Sequence, residues 1–124
     1  MLLAKYWVII NFVFYLGLGI FTIVNPGYIA EAVHFQLLTP GAIAEFKAMY
    51  GGLQIALAMI MFLLYKNENI QFALAFLTLI YLGFGCGRLI GIITNRAFDK
   101  TTLIYISIEF ISILISSYLY VNQK

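Results

Sequence analysis

The sequence predicts an all-α fold: a polytopic membrane protein built as an up-down-up-down bundle of four transmembrane helices. Three observations carry that expectation. The 124 residues are 64% hydrophobic and only 10% charged, whereas a soluble domain carries about a quarter charged residues. Mean hydropathy is +1.00. The apolar residues also fall into four stretches parted by polar breaks, each close to the ~20 residues that a helix needs to cross a bilayer. Stretches of this length with no polar–apolar alternation do not suit membrane strands. The whole chain, 1–124, is the length of a single membrane domain.

The first span is read over 6–24. It stops at Asn25-Pro26-Gly27, a strong helix terminator. Lys5 resembles the charged start of a signal peptide, and Ala30-Glu31-Ala32 resembles a cleavage site. The apolar run is longer than such peptides use, and the Asn-Pro-Gly break parts it from that site, so a permanent span is expected. Residues 28–38 are the one sizeable connection. Ile29, Val33 and Leu37 stand at helical spacing, with Glu31 and His34 elsewhere on the turn, which predicts a short interfacial helix on the membrane surface. The second span, 40–65, has Thr39 placed to cap it and Pro40 at its first position. Lys66-Asn67-Glu68-Asn69 makes a tight polar turn into the third span, 70–94, and residues 95–100 lead to the fourth, 101–121. Connections this short make sequential helices antiparallel neighbours.

Four spans put both termini on one face, which carries Lys5, Lys66 and Lys124, against Arg96 and Lys100 in the loops of the other. That bias predicts termini in the cytoplasm. Tyr6, Trp7, Tyr65, Tyr118 and Tyr120 would form an aromatic belt at the same face.

Composition also excludes several classes. A net charge of +2 on so apolar a chain fits neither disorder nor a nucleic-acid binder. The one cysteine, Cys86, cannot form an internal disulfide, and its apolar glycine-rich surroundings suggest a small buried thiol. Cys86 and His34 are too far apart for metal-ligand spacing, and His34 lies outside the spans where a haem ligand would be needed. With no nucleophile elbow, zinc-protease helix or phosphate-binding loop, no cofactor and no metal are expected, and an enzyme is the weaker reading.

The informative residues are the charges inside the spans. Glu45 and Lys47 lie a turn or more into span two, Arg88 near the end of span three, and Glu109 two turns into span four. By the antiparallel order all four fall in one half of the bilayer, and they sum to zero. Each would cost ~2.5–3.5 kcal/mol facing lipid at a helix centre, so pairing is expected, with Arg88 bridging to Glu109 or Glu45 through its planar fork. Lys47 is about 200° around an α-helix from Glu45 and can instead extend towards the headgroups. Tyr50 lies beside this region, placed to orient a ligand or a carboxylate. On span four, Thr102, Tyr105, Glu109, Ser112 and Ser116 share one face, a polar seam. Ala44, Ala48, Gly52 and Ala56 on span two, and Gly83, Gly87 and Gly91 on span three, form four-residue steps of small residues that suit close helix packing.

The run Thr39-Pro40-Gly41 followed by Ala44-Glu45-Phe46-Lys47-Ala48-Met49-Tyr50-Gly51-Gly52-Leu53 resembles the signature of a small bacterial four-helix membrane family catalogued only as a domain of unknown function. Gly87-Arg88-Leu89-Ile90-Gly91 is similar to its span-three run, and Glu109 to its acidic residue in span four. Lys47 stands where that pattern has arginine. The resemblance covers nearly the whole chain. It implies the four-helix topology and a place in a bacterial cytoplasmic membrane, and it implies no activity.

Two functional expectations follow. In the first, Glu45, Lys47, Tyr50, Arg88 and Glu109 form a charged cluster in one leaflet that binds a small anionic or amphipathic ligand, a lipid or a proton. In the second, the chain is an accessory or assembly subunit of a larger membrane complex or a homo-oligomer, and the charges lock helix register. A small multidrug exporter would use a span-one carboxylate, where this chain offers only Asn11.

Overall fold

The computed structural model describes residues 1–123. Lys124, counted above with the basic residues of the terminal face, lies outside the described residues. In chain order the elements are α1 (Leu2–Val24), α2 (Pro26–Ala32), α3 (Pro40–Phe46), a π-helical segment (Lys47–Gly52), α4 (Leu53–Lys66), α5 (Ile70–Asn95) and α6 (Lys100–Val121). No strand occurs among the described residues. Four stretches are long and apolar enough to cross a membrane: Leu2–Val24, Pro40–Lys66, Ile70–Asn95 and Lys100–Val121. The chain is thus an all-α membrane protein with four candidate spans.

The helix ends follow from local chemistry. α1 begins at Leu2 rather than Tyr6 and stops at Val24, because Pro26 has no N–H to extend it. The same proline opens α2 at its first position, where the missing donor costs nothing. The surface helix is therefore earlier and shorter than the expected 28–38. It closes at Ala32 because His34 takes a left-handed φ of 60°. There the His34 N–H donates to Glu31 O at 3.0 Å and the Phe35 N–H to Ala30 O at 2.7 Å, the paired bonds of a Schellman stop. Leu37 lies beyond it. Thr39 caps α3, its hydroxyl accepting from the Ala42 N–H at 3.1 Å, with Pro40 next in line. α6 starts at Lys100, one residue before the expected 101. Asp99 caps it, its carboxylate accepting from the Thr102 N–H at 2.9 Å and from the Thr102 hydroxyl at 2.7 Å.

The chain divides into two compact units. One comprises residues 1–7 and 69–124. In it α5 and α6 run antiparallel, since Arg88 meets Glu109 while Gly85, a turn earlier, faces Ile113, a turn later. The buried residues of α5, Ile70, Ala73, Leu74, Leu77 and Tyr81, recur every three or four positions, one helical stripe. The start of α1 joins this unit through Trp7, whose indole N–H donates to Ser116 Oγ at 2.8 Å.

The other unit is residues 8–68. Within it α1 lies antiparallel to the second span. The Phe12 and Phe62 rings are 5.5 Å apart, Gly19 lies against Ile55, and Ile23 lies against Gly51. The π-helical segment breaks the expected four-residue stripe of this span. Its i→i+5 bonding widens the turn, and the expected stripe is not the buried face: Ala44, before the segment, and Ala48, Gly52 and Ala56 are all exposed. The buried set is instead Phe46, Gly51, Gln54, Ala58 and Met61, with a five-residue step at the π turn.

Candidate functional site

Glu109 is the tenth residue of α6, about 13 Å from its start at 1.5 Å per residue, and so near the middle of a ~30 Å hydrocarbon layer. It is 7% exposed and belongs to the predicted seam, in which Ser112 and Ser116 are also buried. Arg88 reaches it from α5. Its Nη2 donates to Oε1 at 2.7 Å, and its Nε lies 3.0 Å from both carboxylate oxygens. The guanidinium thus holds the carboxylate side-on, the arrangement in which a planar fork fixes orientation as well as charge. Its carbon lies 5.3 Å from the centre of the Tyr105 ring, within cation–π range. Tyr105 and Glu109 are four residues apart on α6, so one helix face supplies both an anion and an aromatic ring to one cation.

The pair is neutral overall but unevenly covered. The side chain of Glu109 is 9% exposed and that of Arg88 33%. The acid is nearly covered, and the base is partly exposed.

Gly85 is the part of the site that sequence reading passes over. A methyl group placed there would lie 3.7 Å from Ile113 Cδ1, 3.9 Å from Glu109 Cβ and 4.0 Å from Glu109 Oε2, all ordinary contacts. Alanine therefore fits, and a bulky side chain crowds Ile113 and Glu109. Gly85→Ala is expected to retain wild-type thermal stability in detergent, whereas Gly85→Leu loses ~1–3 kcal/mol by overpacking; equal behaviour of the two variants would show that Gly85 does not abut the pair. The usable signal in the sequence is its position, one turn before Arg88.

The other expected site residues lie in the unit of residues 8–68. Glu45 is exposed near the end of α3, and Lys47 opens the π-helical segment half-buried. Neither has an ion-pair partner among the described residues of that unit. Tyr50 is placed by aromatic packing: its ring stacks on Phe46 at 4.5 Å and 15°, and meets Phe35 edge-on at 5.8 Å. Arg88 and Glu109 are thus brought together within one unit, and Glu45, Lys47 and Tyr50 belong to the other.

Two expectations about α5 are corrected. Cys86 is exposed rather than buried, because the buried face of α5 runs through Leu77, Tyr81 and Ile92. The glycines Gly83, Gly87 and Gly91 do not pack against a neighbouring helix: a methyl group on any of them would meet nothing within 4 Å. Among the described residues no group of three or more His, Cys, Asp or Glu is placed to hold a metal ion.

Among known proteins, residues 3–120 match the model of a family described as Domain of unknown function (DUF4345). No curated protein and no solved structure matches the chain.

Proposed function

The chain belongs to the DUF4345 family over residues 3–120, and on that premise we propose that it binds a small anionic or amphipathic molecule in the membrane at the Arg88–Glu109 pair. The observation that carries this reading is the uneven cover of the pair. The Arg88 guanidinium is held by Glu109 and lies over the Tyr105 ring, and a third of the arginine side chain is exposed while the acid is buried. An oriented guanidinium in an apolar medium suits a carboxylate or a phosphate headgroup. The pair is already neutral, so an anion bound there leaves a net negative charge, and a proton entering with the ligand restores neutrality. The setting we propose is the bacterial cytoplasmic membrane with the termini inside, supported in the sequence by Lys5, Lys66 and Lys124 at the terminal ends of the spans against Arg96 and Lys100 in the other loops.

A second reading has its own observation. The open face of Gly83, Gly87 and Gly91 has the small-xxx-small spacing on which membrane helices associate. In that reading the chain is an accessory subunit and the ion pair is a register lock.

Native mass spectrometry of the gently solubilised protein separates the two, run beside Arg88→Gln and Arg88→Lys. A non-protein adduct that is lost in Arg88→Gln and weakened in Arg88→Lys supports the ligand site and gives the ligand's mass. An adduct-free protein assembly that survives both substitutions supports the accessory subunit and removes the first reading.

A further inference from the structure

The most pointed unexplained atom belongs to the unit of residues 8–68. Gln54, on the first turn of α4, is 6% exposed, and its side-chain oxygen Oε1 is buried with no hydrogen-bond partner among the described residues. Its orientation is determined, because Nε2 donates to Met49 O at 3.3 Å. Turning the amide over would set two acceptors face to face. Gln54 thus uses its donor on the backbone of the π-helical segment, and its acceptor is left stranded in an apolar span, where no bulk water can serve it.

The π segment explains why the donor is used in this way. Leu53 N–H bonds to Ala48 O, five residues back. Where five-residue bonding returns to the four-residue ladder of α4, one carbonyl of the turn is passed over by the backbone donors. Gln54 Nε2 serves a carbonyl of that turn, and Oε1 is left as the acceptor with no donor.

We infer that Gln54 Oε1 accepts a hydrogen bond from a water molecule bound inside the span, against the π-helical segment. Water is the donor that fits. It is small enough for a closed site, and its two hydrogens can serve the amide oxygen and a carbonyl of the turn together. Buried waters are held by two to four such bonds. A lipid or ligand hydroxyl would have to part the helices to reach a buried atom. The site makes the second span a hydrated helix at residues 47–54, with the widened turn stabilised by its guest.

The test uses the unaltered protein in lipid nanodiscs, with its glutamine side-chain amides assigned by through-bond correlation. A cross-peak between the Gln54 amide protons and the water resonance, with the sign of a long-lived contact and lost on transfer to heavy water, is the expected result. Exposed Gln71 serves as the rapidly exchanging control. No water cross-peak at Gln54, or a cross-peak to lipid protons in its place, overturns the inference.

Discussion

Replacing Arg88 by glutamine is expected to destabilise the α5–α6 pair by ~3–5 kcal/mol, the cost of leaving one member of a buried ion pair without its partner. Glu109 is the member left behind. It is short, nine-tenths buried and central in its span, so it cannot reach the interface. Glu109→Gln should cost less, about 1.5–3 kcal/mol, the worth of a hydrogen bond to a charged group. Arg88 is already a third exposed, lies seven residues from the end of α5, and has a stem long enough to carry its charge towards the headgroups. Arg88→Lys keeps the charges balanced and loses the fork, and should fall between these variants and wild type. The double variant Arg88→Gln/Glu109→Gln is expected to recover more than half of the loss, because two amides can bond to each other and neither is charged. Reversible unfolding in detergent, read as a double-mutant cycle, gives all four values. Additive losses would show that the two side chains are not coupled, and both the binding and the register-lock readings would lose their centre.

The ion pair was legible because a bilayer makes it so. Four charges inside otherwise apolar spans must be accounted for, and their depths along the helices place Arg88 and Glu109 at a common level. The α6 seam was legible for the same reason, since polar residues at steps of three and four in a lipid medium have one place to go. The π-helical segment was not legible. Lys47 to Gly52 carries no residue that forbids an α-helix, and the step from four-residue to five-residue bonding leaves no trace in composition. That one turn lengthens the step from Phe46 to Gly51 to five residues and shifts the buried face that continues through Gln54 and Ala58; the small-residue stripe fails earlier, since Ala44 is already exposed where Phe46 is buried. The α5 glycines misled for a different reason. Spacing shows that small residues share a face, but it cannot show that another helix of the same chain lies against that face. The start of α6 is set by the Asp99-x-x-Thr102 cap, a signal that the apolar run beginning at residue 101 does not contain.

The crossing of α1 with the second span gives the other large effect. A methyl group on Gly19 would lie 2.7 Å from Ile55 Cγ1, 2.8 Å from Gly51 O and 3.0 Å from Ile55 N. Two of those three atoms are backbone and cannot rotate away, so the helices must separate. Gly19→Ala is expected to cost ~2–3 kcal/mol by overpacking, even after the ~1 kcal/mol that alanine recovers in helix propensity. Gly51→Ala should be milder. Its nearest obstacle is the Ile23 side chain at 2.7 Å, which can change rotamer, and the Gly19 carbonyl is further off at 3.3 Å. Gly17, one turn-half away on α1, is the control. A methyl group there meets nothing within 4 Å, so Gly17→Ala should be neutral or slightly stabilising. Opposite signs at positions two residues apart cannot come from glycine content or from the detergent; they require one face of α1 to touch the π-helical turn. Thermal unfolding of the three single variants decides it. If Gly19→Ala and Gly17→Ala shift the melting temperature alike, the close approach of Gly19 to Gly51 is not what holds this pair together.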